Sequence, residues 1–192
     1  MNFNDLIYNE SEREVAVLPL PPFLKLIKEG VISSDALNLA YQGESVGLDL
    51  HYVNENGNDF IIPNEMGTIA ARDLEPKVLL PTGIKVNIPV GYVGLILERG
   101  SVIKTSLKLR AGVIDPGFTG EVMVNALSFV GRDEIPGVYI NHGTRIKNGT
   151  KLPFQLIVVP AMTNFVVVNE DTYNALTAKA KRKSGMVGSS DK

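Results

Sequence analysis

Cysteine is absent from all 192 residues. That excludes disulfides, thiolate metal centres and a cysteine nucleophile. Histidine is nearly absent: only His51 and His142 occur, too few for a multi-histidine zinc site within one chain. Tryptophan is missing as well, which carries no functional information. No apolar run approaches the roughly 18 residues of a membrane-spanning helix. The N-terminal stretch lacks the basic start and apolar core of a secretory signal. A soluble, cytoplasmic protein is the expectation. Excess positive charge is also lacking: 19 Lys and Arg stand against 21 Asp and Glu, for a net charge of −2. The sequence pI is about 5.7. A general nucleic-acid binder would be basic. A small anion bound in a local basic pocket stays compatible with this balance.

Hydrophobic residues at 44% and charged residues at 21% describe an ordinary globular chain, long enough for one domain with a real core. Residues 1 to 35 read as an N-terminal extension. Within it, LPLPPFLKLIKEG (18–30) holds the only consecutive prolines, then an apolar-basic run ending at Gly30. This predicts an extended arm and one or two helical turns. SSDALNLA (33–40) predicts a second short helix capped at Ser33 or Ser34.

From about residue 45 the texture is β. VGLDLHYV, DFIIP, KVLLP, GIKVNIP, GYVGLILE, LKLRAGVI, EVMVNALSFV, GVYINHG and KLPFQLIVVP are rich in Val, Ile, Leu and Tyr, and Gly, Pro, Asn and Asp punctuate them. No helical period runs through residues 45–168. The spacing predicts an all-β sandwich, jelly roll or barrel over residues 36–170. NFVVVNE (164–170) reads as the last strand, and EDTYNALTAKAKRK as a short helix or linker. The Gly/Ser tail RKSGMVGSSDK ends the chain, so residues 171–192 read as linker and arm.

Three segments could carry chemistry. RAGVIDPGFTGEV (110–122) reads as a β-hairpin turning at Asp115-Pro116-Gly117. Asp115 is either a turn aspartate capping its own backbone or a partly buried carboxylate poised as a general base. Phe118 is either a core aromatic or a platform against a sugar or base. ERGSVIKT (98–105) breaks a strand with Arg99, Gly100 and Ser101. Such a loop serves as a surface turn, or presents amides and a cation to phosphate. VGLDL (46–50) places Asp49 inside an apolar strand, either facing solvent or paired or metal-linked. Gln155, between Phe154 and Leu156, is equally two-sided.

Taken in order, these blocks carry a resemblance. Gly47-Leu48-Asp49-Leu50, Ile88-Pro89-x-Gly91-Tyr92-x-Gly94 with Arg99-Gly100-Ser101, Ala111-Gly112-Val113-Ile114-Asp115, Gly149-Thr150-Lys151-x-x-x-Gln155-Leu156, and Arg182-x-x-Gly185-x-x-Gly188-Ser189-Ser190 closely resemble the five ordered motifs of the trimeric dUTPase family. The likeness spans about residues 40 to 192. The Gly-Val-Ile-Asp segment with its turn and Gly120 is the most specific part.

The resemblance implies a jelly-roll homotrimer that hydrolyses dUTP to dUMP and pyrophosphate with Mg2+, using sites shared between subunits and closed by the C-terminal arm. It implies Asp115 as the carboxylate that activates water, and Phe118 as the aromatic under the deoxyribose. The backbone around Gly112, Val113 and Ile114 would read the uracil edge. Asp49 would orient water around the Mg2+–triphosphate complex. Arg99, Gly100, Ser101 and Gln155 would lie on the phosphate side. On the arm, Arg182, Gly185, Gly188, Ser189 and Ser190 would clasp phosphate.

The sequence departs from the family pattern in three places. Gly100 stands where the family has the first serine of its second motif. Val187 stands where an arm phenylalanine stacks on uracil, with Met186 replacing a glycine. Lys151 to Gln155 is one residue longer than the usual spacing. Residues 1 to 35 and the Arg132–Gly137 stretch look like additions. A sister activity on the same fold, dCTP deamination, needs a glutamate ten residues after the aspartate; Asn125 stands there and cannot shuttle the proton. A third reading keeps the fold as a nucleotide-binding or regulatory protein with weak catalysis.

Overall fold

The computed structural model describes residues 14–39, 45–61, 77–105, 107–128, 145–162 and 166–178. The expected strand GVYINHG and the tail from Lys181 onward lie outside the described residues, as do residues 1–13 and 132–137. The chain divides into two units, Met1–Ala161 and Met162–Lys192.

The first unit is built from short strands. They are β1 (Ala16–Pro19), β2 (Leu48–His51), β3 (Phe60–Ile61), β4 (Lys77–Pro81), β5 (Ile84–Asn87), β6 (Tyr92–Glu98), β7 (Leu107–Ala111), β8 (Val113–Ile114), β9 (Met123–Ser128), β10 (Arg145–Ile146) and β11 (Lys151–Pro160). A four-stranded sheet runs β2-β11-β6-β8 and a three-stranded sheet runs β4-β9-β7. Pairs β1-β5 and β10-β3 join them, and among the described residues every pairing is antiparallel. This is the expected all-β, jelly-roll-like architecture.

The two-residue period of a strand decides which side chains fill the core. Along β11, Leu152, Phe154 and Leu156 are buried; across from them lie Leu48, Leu50, Ile96 and Ile114. The other large sheet supplies Val78 and Leu80 opposite Ala126 and Val124, all fully buried. These residues belong to one apolar cluster shared by both sheets.

The segment before residue 35 joins this core through its described part. β1 pairs with β5 from Ala16–Asn87 to Pro19–Ile84. Helix α1 (Pro21–Lys28) follows, with proline at its first positions, where a fixed φ suits the helix and no amide bond is lost. It ends at Gly30, whose φ of 72° is the left-handed value that closes a helix. Phe23 and Leu26, three apart on one face, sink into the core beside Ile32.

Three expectations are corrected. SSDALNLA forms no helix over its described residues 33–39. It makes two successive turns, with amides of Ala36 and Asn38 bonded to the carbonyls of Ser33 and Asp35. The Ser33 hydroxyl donates to the Asp35 carboxylate instead of capping backbone amides. RAGVIDPGFTGEV is not a hairpin: β8 pairs with β6, whereas β9 pairs with β4 and β7, so the turn crosses between sheets. Finally, residues 166–169 of NFVVVNE form no strand, and Val166 and Val167 are exposed without a ladder partner among the described residues. Asn169 instead caps helix α2 (Glu170–Thr177), accepting from the Thr172 amide at 2.9 Å. That helix fits the expected short helix or linker.

Because Phe23 is 1% exposed and seated among both sheets' side chains, the helix is part of the core. Phe23→Ala should destabilise the fold by about 3–5 kcal/mol, read as a lowered midpoint in urea unfolding. A change under about 1 kcal/mol would show that α1 merely rests on the barrel.

Candidate active site

The four-stranded sheet places one set of polar side chains along a line. Asp49 of β2 pairs directly with Gln155 of β11, which pairs with Leu97 of β6. Residues directly opposite share a face, and this is the face away from the core. Asp49 thus leaves the core by strand alternation between buried Leu48 and Leu50.

Its carboxylate is held by two cations. Arg99 Nε lies 2.7 Å from Asp49 Oδ1, and Lys151 Nζ is ion-paired with Oδ2. The Asp49 side chain is 13% exposed, against 29% for Arg99 and 48% for Lys151. The carboxylate is enclosed while the cations keep open surface, and the trio carries a net charge of about +1 at neutral pH. Arg99 is fixed at its backbone too: its amide donates to the Pro153 carbonyl at 2.9 Å, at the start of a 3-10 turn over Gly100–Lys104. Gly100 and Ser101 are exposed on that turn. A Cβ at Gly100 would meet nothing within 4 Å, so packing does not demand glycine there.

Lys151 carries no role in the sequence reading, although it stands in a quoted motif. Its signal was a cation four residues ahead of Gln155 on one strand. The longer spacing between them has a structural counterpart. His51 pairs with Lys151 and Asp49 with Gln155, so β11 advances four residues while β2 advances two. The bulge absorbs the surplus and lets Lys151 and Gln155 both flank Asp49. Gln155 is seated against Gly47, where an added Cβ would come within 2.2 Å of its Oε1. His51 is buried behind this cluster, 6.0 Å from the Phe23 ring in an edge-on arrangement. Burial first, and Lys151 second, push its imidazole below its ordinary pKa.

Asp115 and Phe118 sit elsewhere. Asp115 follows β8, and its carbonyl accepts from the Phe118 amide at 3.2 Å. Pro116 and Gly117 (φ 81°) fill the central positions, the signature of a type II turn. The backbone closes this turn, and the Asp115 carboxylate has no hydrogen-bond partner among the described residues. Asp115 is exposed in the single chain and not partly buried; Phe118 is 45% exposed and is not a core aromatic. Gly112 and Ile114 are tied to β6: Ile96 donates to the Gly112 carbonyl at 2.7 Å, and Ile114 pairs with Gly94. Val113 faces outward.

The chain does not bring these two groups together. Ile114 pairs with Gly94 near one end of β6, whereas Arg99 follows its other end. Five strand residues separate the two levels by roughly 16 Å. The arm residues Arg182, Gly185, Val187, Gly188, Ser189 and Ser190 lie outside the described residues.

For a divalent metal, the described residues include no cluster of three or more His, Asp or Glu side chains. Both Asp49 oxygens already hold a cation. With both oxygens taken, Asp49 is not free to coordinate a metal directly in this arrangement.

A family model described as dUTPase matches residues 33–191. The deoxyuridine 5′-triphosphate nucleotidohydrolase of Mycobacterium sp. (strain JLS) is 33% identical over 128 residues, covering 63% of this chain and 77% of that protein. The Pol polyprotein of equine infectious anemia virus (strain Wyoming) is 27% identical over 125 residues, covering 62% of this chain; the chain spans only 10% of the polyprotein's length. Among solved structures, a mutant dUTPase from phage phi11 of S. aureus, which coordinates a structural Mg(II) ion, superposes with a TM-score of 0.53 at 23% identity. That match covers 82% of this chain and 97% of the phage protein. With most of its length matched by the family model, the chain belongs to the dUTPase family.

Proposed function

We propose that this protein hydrolyses dUTP to dUMP and pyrophosphate. The observation that carries the reading is the Asp49 carboxylate clamped by Arg99 and Lys151 beside Gln155. It presents two partly open cations and an amide to a strongly anionic ligand. Arg99 and Gln155 hold the phosphates, with Ser101 and the Gly100 backbone at the rim. Phe118 lies under the deoxyribose and leaves no room for a 2′-hydroxyl. The backbone from Gly112 to Ile114 reads the uracil edge.

The reaction needs one activated water. Asp115 takes a proton from it as general base. The water oxygen bonds to the α-phosphorus, the bond to the α–β bridging oxygen breaks, and pyrophosphate leaves with that electron pair. Arg99 stabilises the added charge, assisted by Arg182 from the arm. Mg2+, when bound, neutralises the triphosphate and orients it; Asp49 would accept from a water on that ion.

The distance between Asp115 and the cation cluster supports shared sites in a homotrimer, one chain giving Asp115 and Phe118 and another giving Arg99 and Gln155. The outward face of the four-stranded sheet supports it too. Val93, Leu95, Ile157 and Val159 are half-buried there, and Leu97 and Val113 are exposed. An apolar sheet face of this kind calls for a partner.

The test is a purified-protein assay with Mg2+ and a panel of deoxynucleoside triphosphates, quantifying monophosphate and pyrophosphate. dUTP should be turned over selectively. Ammonia from dCTP would instead establish the deaminase, and nucleotide binding without turnover would establish a regulatory protein.

Asp115→Asn should lower kcat by at least about 100-fold while the calorimetric Kd for dUTP stays similar; an active variant removes Asp115 from catalysis. Asp49→Ala frees both cations from their anchor and should raise KM for dUTP more than it lowers kcat. An unchanged KM would show that the clamp does not organise the phosphate side. Truncation before Lys181 should cost turnover far more than thermal stability, and a truncated enzyme of full activity would take the arm out of the mechanism.

A further inference from the structure

Two glycines flank Phe118, for different reasons. Gly117 is needed for its backbone: its φ of 81° lies where side chains are strained, and a Cβ there would meet nothing within 4 Å. Gly120 is the reverse case. Its φ lies outside the left-handed range, so any residue could adopt its backbone. Yet a Cβ on it would come 2.6 Å from Phe118 Cζ, 3.0 Å from Cε2 and 3.3 Å from Cε1. All three of the nearest atoms belong to one phenyl ring. The ring is thus what a side chain at 120 would strike first.

The ring needs such help. Phe118 is 45% exposed, stands three residues after Asp115, and is not a member of the apolar core. It takes no part in the cluster that locks the buried side chains together. The tip of the ring lies over the bare Cα of Gly120 instead, and a methyl group there would push the ring off its seat at the point where it faces outward. The backbone would not resist: the phenyl is the mobile end of a side chain and would simply turn.

We infer that Gly120 is a specificity-positioning residue. By lacking a Cβ it seats the Phe118 ring at the height and tilt that admits a deoxyribose and refuses a ribose. This rests on the reading of Phe118 as the sugar platform. It adds that discrimination at the 2′ position is set by a residue that touches no substrate, and that it can be altered without disturbing the fold.

The experiment compares wild type, Gly120→Ala, Phe118→Ala and the double variant. Each is measured for kcat/KM with dUTP and UTP, for Kd of dUTP and UTP with Mg2+ omitted, and for Tm. Gly120→Ala should keep the wild-type Tm within about 3 °C and lower the dUTP-over-UTP preference by about tenfold or more. That loss should show in kcat/KM and in the Kd ratio. In the Phe118→Ala background the same change should add no further loss, because the ring it displaces is gone. Preserved selectivity in Gly120→Ala overturns the inference, and so does an equal extra loss in the double variant, which would mean that Gly120 acts through the backbone. A wild-type protein that binds dUTP and UTP alike defeats the platform reading of Phe118 itself, a result separable from either.

Discussion

The alternation of side chains along β11 is the constraint on which the rest of this molecule depends. Leu152, Phe154 and Leu156 must face the core, and they carry the four-stranded sheet against the second sheet. Once they do, Gln155 has to face out. The pairing of β11 with β2 then forces Asp49 out beside it. Asp49 and Gln155 are therefore outward by-products of core packing. A one-residue slip would bury Asp49 and Gln155 and expose the apolar set. Register and chemistry are specified by the same hydrophobic contacts.

Asp49 shows how such a placement becomes useful. An aspartate in an apolar strand is costly unless it is paired. Here Arg99 and Lys151 each take one oxygen. The pairing satisfies the carboxylate, and it also holds two flexible cations in place before any ligand arrives. Preorganised charge of this kind costs no rearrangement when an anion binds. The bulge in β11 makes the arrangement possible, because without the surplus residues Lys151 and Gln155 could not both stand beside one carboxylate. A departure in sequence spacing thus has a definite structural use. Gly47 against Gln155 and Gly120 against Phe118 repeat one theme, a missing side chain that fixes the position of a neighbouring one.

Much of the fold was legible beforehand. Short Val- and Ile-rich runs between turn residues marked the strands from β2 to β9 and β11, because period and punctuation are local properties; the two-residue β10 (Arg145–Ile146) lay outside every such run. The misreadings arose where partners decide. RAGVIDPGFTGEV has the local look of a hairpin, yet β8 and β9 belong to different sheets, and only long-range pairing settles that. Val166 to Val168 has strand propensity but no neighbour among the described residues to pair with. The Ser33 hydroxyl, free on paper to cap a helix, is bonded to Asp35. The segment before residue 35 looked separate by composition, and its described part packs Phe23 and Leu26 into the common core.

The site divides along the same line. Residue types and their order, from Asp49 through Arg99, Asp115 and Gln155, were determined by the sequence, since motif spacing survives any change of surroundings. Tertiary structure alone decided that Asp49 sits between Arg99 and Lys151, residues 50 and 102 positions further along the chain. It alone put the turn with Asp115 and Phe118 after a strand paired near the Gly94 end of β6, with Arg99 beyond the other end. Contacts between residues far apart in sequence depend on which strands pair and in what register, and a linear reading contains neither. The turn at Gly117 and the seat at Gly120 make the contrast plain. A positive φ can be guessed from a Pro-Gly dipeptide, whereas a phenyl ring resting on a bare Cα is visible only once the chain has folded.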